Sequence, residues 1–278
     1  MTLLNLGLAV LALTPQSHFD RDSLTNGFAV GVQAWTFTRF TACEAIQKTA
    51  EAGGKLIELF PGQTLSADMQ DSKVGPDMSP EVLAKLKEQL AKYKVKVTAF
   101  GVTGIPKDET QARKLFTWAK GLGIVTINTE STGSIDTIEK MVKEFDIRVG
   151  FHNHPRSSNA DYKVWDPAYI YDLVKDRDPR IGSCADTGHW VRSGIKPVDA
   201  IRTLHGRIVS SHLKDLHEFS PGGHDVPFGT GQSDIKGILA EYKKIGFQGP
   251  ISIEYEYNWE NSVPDVKKCL EFVRDVKL

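Results

Sequence analysis

Cysteine is scarce in this 278-residue chain: Cys43, Cys184 and Cys269 stand far apart with no Cys-x-x-Cys spacing, which excludes a disulfide framework and a thiolate zinc site. The three read as small buried apolar residues. An excess of basic charge is missing too. Lys and Arg number 34 against 35 Asp and Glu, giving a net charge of -1 with no basic run, so no nucleic-acid partner is expected. Nor is there a long hydrophobic run. The apolar stretch Leu3 to Leu13 is too short to span a bilayer, and no membrane partner is expected. Its length fits the core of a signal peptide, yet the usual preceding basic residues and a clean small-residue cleavage site are absent. The segment 1–27 is therefore read either as a leader, whole or truncated, of an exported or periplasmic protein, or as a packed helix of a cytoplasmic one. No repeat or low-complexity linker marks a domain boundary, which leaves 28–278 as a single domain.

The composition, 40% hydrophobic and 25% charged, is that of an ordinary globular chain able to bury one large core. From Phe28 onward, short β-branched runs alternate with amphipathic stretches, the pattern of parallel strands covered by helices. Strands are predicted at Ala29 to Trp35, Leu56 to Phe60, Val95 to Val102, Val125 to Thr129, Arg148 to His154, Ile181 to Asp186, Ile208 to Leu213 and Ile251 to Tyr255. Ser79 caps a helix with Pro80 in its first turn, and Leu83, Leu86, Leu90 and Tyr93 then share a face. Further helical stretches run over Asp108 to Leu122, Asp136 to Phe145, Pro167 to Lys175, Pro197 to Leu204 and Asp234 to Ile245, with Val263, Val266, Leu270 and Val273 at the chain end. This alternation predicts an α/β fold, a single (β/α)8 TIM barrel, with a doubly wound open sheet as the alternative. The stretches Pro61 to Met78 and Leu216 to Asp234 read as long loops of the kind that cover a site.

In such a barrel, residues at the C-terminal strand ends face one mouth. The chain delivers there Glu58, Asn128 to Ser131, His152-Asn153-His154, Asp186-Thr187-Gly188-His189-Trp190, His212-Leu213-Lys214-Asp215 and Glu254-Tyr255-Glu256. All the histidines except His18 lie after residue 150. His152 and His154 share strand parity, as do Glu254 and Glu256, and inward-facing polar groups need a partner. A bound cation supplies one. Mixed imidazole and carboxylate donors suit Mn2+, the first choice, with Zn2+, Co2+, Fe2+ or Mg2+ as alternatives.

On Phe151 to Pro155, Asp186 to Trp190 with Ser193-Gly194, His212 to Asp215, the Gly229-Thr230-Gly231 turn and Ile253 to Glu256, the chain resembles the xylose-isomerase-like TIM barrels over residues 28 to 275. These are sugar phosphate isomerases, epimerases and dehydratases. The resemblance implies a TIM-barrel catalytic domain with a metal ligand from each of the last four strands, carried over to Asp186, His212 and Glu254. The usual strand-five Glu is replaced by His152, so either His152 is the remaining ligand or Glu130 reaches in from the neighbouring strand.

The resemblance further implies a metal-dependent isomerase or epimerase acting through an enediolate on a keto-sugar. The alternative is a lyase, dehydratase or hydratase working by the same enolisation, like inosose dehydratases or 3-keto-glycoside lyases. Candidate catalytic residues are Glu254, His152 and His154 as acids and bases. Lys214 either stabilises negative charge or pairs with Asp215 or another carboxylate. Glu58, Trp35, His189, Trp190 and His224 are candidate substrate contacts. The partner is thus a small sugar; a homo-oligomer is compatible with this reading. Two remoter readings are an apurinic endonuclease, which shares Asp186-x-x-His189 and His212 but needs histidines from early strands, and a non-catalytic sugar-binding protein.

Overall fold

The computed structural model describes residues 19–278. The apolar stretch Leu3 to Leu13 and His18 lie outside the described residues. Eight parallel strands close into a barrel: β1 (Ala29–Gln33), β2 (Leu56–Leu59), β3 (Lys96–Phe100), β4 (Thr126–Thr129), β5 (Arg148–His152), β6 (Ile181–Asp186), β7 (Ile208–Leu213) and β8 (Pro250–Ile253). Closure comes from β1 pairing with β8, Ala29 opposite Pro250. Most strands are buried along their whole length, because the barrel interior covers one face and the helices cover the other.

The surrounding helices are α1 (Ala42–Glu51), α2 (Pro80–Tyr93), α3 (Glu109–Gly121), α4 (Ile135–Phe145), α5 (Pro167–Val174), α6 (Thr187–Arg192), α7 (Pro197–Thr203), α8 (Ile235–Lys244) and α9 (Val263–Asp275). Local chemistry sets their starts. Thr41 and Glu44 form a capping box on α1, and the side chains of Ser79, Asp108 and Asp234 accept from the first-turn amides of α2, α3 and α8. Each helix then lays its apolar stripe on the barrel, as Ile138, Met141 and Val142 of α4 do. At Gly31 of β1 a Cβ would lie 2.6 Å from the Leu56 carbonyl oxygen, so this close strand approach requires glycine.

The second long loop contains a two-residue antiparallel ribbon, Asp215–Leu216 against Asp225–Val226. Asp215 anchors its far side by accepting from the amides of Gly229, Gly231 and Ser233 at 2.8 to 3.0 Å. The Gly-Thr-Gly turn is therefore tied to the strand-seven exit. The barrel interior just below the mouth is polar. Glu58, fully buried, accepts from Asn128 Nδ2 at 2.7 Å and Ser252 Oγ at 2.6 Å, and Ser210 Oγ donates to Asn128 Oδ1 at 2.6 Å.

Candidate metal centre and its cavity

Asp186 is the last residue of β6 and the N-cap of α6. Its Oδ1 accepts from the His189 amide at 2.8 Å, a bond that stops the strand and starts the helix at once. The same bond aims Oδ2 into the barrel axis, where it has no hydrogen-bond partner. On the next strand, His212 Nε2 lies 3.0 Å from Glu58 Oε2, which orients the ring and leaves Nδ1, which makes no hydrogen bond, to face the carboxylates. Neither ring nitrogen of His152 has a hydrogen-bond partner, although both are buried. Glu254 follows β8 and brings Oε2 to 3.1 Å from His212 Nδ1. His152 Nε2 and His212 Nδ1 lie 3.4 Å and 3.9 Å from Asp186 Oδ2.

One ligand atom from each of His152, Asp186, His212 and Glu254 falls within 4.8 Å of the others. Buried, unpartnered imidazole nitrogens facing carboxylate oxygens are the donor set of a divalent metal site. These residues therefore fit the cation that their types suggested. Glu130 stands outside this quartet and forms a second group with His152 and His154. It binds His154 Nδ1 and lies 3.6 Å from His152 Nδ1. Burial opposes its ionisation, but the two neighbouring imidazoles outweigh that and lower its pKa to about 2.

Lys214 lies behind the quartet, fully buried, and pairs with none of the residues of the Gly-Thr-Gly anchor. It lies 3.1 Å from Asp186 Oδ2 and 2.8 Å from Glu254 Oε2, and donates to Glu256 Oε2 at 2.7 Å. Burial works against the ammonium, yet Asp186, Glu254 and Glu256 hold its pKa well above the usual lysine value. Beside it, Arg192 bonds Asp225 at 3.0 Å and Glu256 at 3.3 Å, and its Nη1 lies 3.1 Å from His189 Nδ1. Burial, reinforced by Lys214, holds the His189 pKa well below the histidine norm despite nearby Asp186. Burial likewise pushes Asp225 up to about 7, against the pull of Lys214 and Arg192.

Above the quartet opens a cavity of about 290 Å³ with two unlike walls. The exits of β1 to β3 supply Gln33, Trp35, Phe60, Pro61, Gly101 and Val102; the opposite side has His152, His154, His189, Glu254 and Glu256. Of the expected substrate contacts, Trp35 and His189 line it, as do the expected acid–base residues His152, His154 and Glu254. Three others do not. Glu58 lies beneath His212, Trp190 is buried in the core, and His224 stacks between His217 and Tyr257 at centroid distances of 3.8 and 4.2 Å, away from the lining. Gln33, Phe60, Arg192 and Asp225 escaped the sequence reading, since nothing local marks them. Glu256 carried a signal in its shared parity with Glu254.

The family described as xylose isomerase-like TIM barrel matches residues 46–276. An inosose dehydratase of Clostridium tetani is 27% identical over 139 residues, 44% of this chain and 45% of that protein. The chain spans about half the length of the curated relatives it matches. Among solved structures, an uncharacterized protein from Parabacteroides distasonis is 32% identical with a TM-score of 0.71, over 89% of this chain and 98% of the other. A D-tagatose 3-epimerase-like protein is 17% identical with a TM-score of 0.66, over 88% and 96%. A xylose isomerase-like barrel from Mycobacterium smegmatis, in complex with magnesium, is 13% identical with a TM-score of 0.68, over 88% and 95%. The last two share the fold alone. No helix among the described residues is long and apolar enough to cross a membrane. With its family match spanning most of the barrel, the chain belongs to the xylose isomerase-like TIM-barrel family.

Proposed function

We propose that this protein is a divalent-metal-dependent isomerase or epimerase that enolises a keto-sugar or a similar small polyol. The observation that carries this reading is the set of buried ligand atoms on His152, Asp186 and His212 that make no hydrogen bond, gathered with Glu254 under a sugar-sized cavity. Those four residues would hold the cation, Mn2+ by preference. When bound, it supplies Lewis-acid polarisation of a substrate carbonyl and so acidifies the neighbouring C–H.

The protein's own groups do the rest. Glu254 lines the cavity with its carboxylate kept ionised beside Lys214, and accepts the α-proton. His154, its Nδ1 engaged by Glu130, is the partner that returns a proton to the other face or the adjacent carbon. His189, braced by Arg192 on Nδ1, presents its remaining nitrogen to substrate hydroxyls. Lys214 keeps Asp186 and Glu254 charged and in place rather than touching substrate.

Elimination is the second reading, favoured by His152 at the position where epimerases of this fold carry a second carboxylate, and by the inosose dehydratase relative. An imidazole acid such as His154 could protonate a departing hydroxyl. Incubating the Mn2+-loaded protein with keto-sugars, inososes and 3-keto-glycosides in D2O tests both. Deuterium at the α-carbon is expected, and the product, epimer or alkene, separates the two outcomes. Sugar binding without any exchange would leave a non-catalytic binding protein.

A further inference from the structure

We propose that the cavity selects an uncharged sugar and rejects phosphorylated or carboxylated ones. This rests on the sugar-enolising reading above and narrows its substrate class. A site for a phosphate or carboxylate needs a cation, or a set of free backbone amides, turned toward the ligand. Among the described residues, no lysine or arginine lines the cavity. The two cations that approach it are already engaged by protein carboxylates. Lys214, wholly buried, faces Asp186, Glu254 and Glu256; Arg192 is held by Asp225, Glu256 and the Gly223 carbonyl.

Two of the three imidazoles in the wall likewise face carboxylates. His154 is bound by Glu130, and His152 lies 3.6 Å from Glu130 and 3.4 Å from Asp186, so both rings are spoken for within the protein. A divalent cation would be balanced by Asp186 and Glu254, with Glu256 and Asp225 then matching Lys214 and Arg192, and Glu130 facing His154, so no positive charge is left over for the substrate. An anionic substituent would therefore give up hydration in a partly dry site without meeting an unmatched cation, and with the Glu254 and Glu256 carboxylates in the lining. The facing wall offers Trp35, 40% exposed and packed edge-on to Phe60 with centroids 5.1 Å apart, a surface for the C–H face of a neutral ring. The Arg39 guanidinium lines two other grooves and not the cavity itself.

The test is equilibrium titration of the Mn2+-loaded protein at low ionic strength with D-fructose, D-fructose 6-phosphate and D-fructuronate, with retained metal checked throughout. The neutral ketose is expected to bind at least tenfold more tightly than either anion. Glu256→Gln, which releases Lys214 and Arg192, should narrow that gap severalfold; an unchanged gap counts against the proposal. An anion binding as tightly as D-fructose to the wild type overturns it, whether or not Arg39→Ala removes that binding. Deuterium exchange on the same samples separates this proposal from the enolisation reading. Neutral-selective binding without exchange rejects enolisation and supports charge selection, whereas exchange of the phosphate ester at the ketose's rate does the reverse.

Discussion

The two ends of the barrel arrange charge in opposite ways. At the N-terminal end, the Arg180 guanidinium makes a two-pronged contact with Asp178, both bonds 2.8 Å, and reaches Asp146 at 2.9 Å, while Arg177 bridges Asp136 and Glu139. Nε, Nη1 and Nη2 of Arg180 each meet a protein carboxylate, and the Asp178 amide links the pair to Glu139 at 3.3 Å. At the C-terminal end, Asp186 Oδ2, His212 Nδ1 and both nitrogens of His152 are buried with no hydrogen-bond partner. A fold tolerates such atoms where something outside the chain completes them. The contrast sets self-paired surface charge against a buried polar cluster at the end where TIM barrels carry their sites.

The sharpest way to break this contrast is Asp186→Asn. The amide oxygen can still cap α6 through the His189 amide, so the fold survives while the central charge is lost. Metal affinity should drop by more than the roughly 100-fold that altered outer groups cause. Elemental analysis after gel filtration checks this, and wild-type metal content would sink the proposed site. Glu58→Gln removes the carboxylate that orients His212 but not a quartet member. A loss of about 10- to 100-fold in metal affinity is expected, read by competition with a chelator.

Trp35→Ala touches the mouth without its charges. Substrate binding should weaken about tenfold, near 1.4 kcal/mol, a size suited to one aromatic contact. Metal content should hold, and stability should stay within about 0.5 kcal/mol because the ring is already half exposed. A parallel loss of metal would show that the two cavity walls are not independent.

The smallest effect belongs to the opposite face. Asp178→Asn should cost about 1 kcal/mol or less in denaturant unfolding and leave metal binding and turnover unchanged. Its pH dependence has a definite sign. The hydrogen bonds from Arg180 lower the Asp178 pKa to about 2, so its contribution is complete above the unfolded carboxylate value near 3.9 and disappears as pH falls through about 2. Wild-type and variant unfolding midpoints should converge on acidification from about pH 5 to about pH 2. A constant gap would show that this pair adds nothing by its charge.

The eight strands were legible because buried parallel strands need continuous β-branched and apolar runs. Their ends were less so. The expected strands overran to His154 and Tyr255, whereas the ladders stop at His152 and Ile253. Composition does not record where one strand loses its neighbour. Helix α1 escaped notice since small residues such as Ala42 and Ala45 form much of its buried stripe, and α6 is a single capped turn and a half that begins directly from β6. The choice between His152 and Glu130 was equally closed to local reading. Both sit at adjacent strand exits, and only the direction of each side chain groups His152 with Asp186, His212 and Glu254, and Glu130 with His152 and His154.

From sequence alone came the alternation of strand and helix, the caps that start the helices, and the placing of acids and imidazoles at strand exits. Those depend on neighbours within a few residues and on the two-residue repeat of a strand. Which of these groups converge, and which cations are already matched by carboxylates, was decided by barrel closure. Hydrogen-bonded strand pairing carries Glu58 to His212 across 154 positions and brings the exits of β5 to β8 around one point. A distance set by the tilt and stagger of eight strands is a property of the closed sheet, with no trace in any one segment.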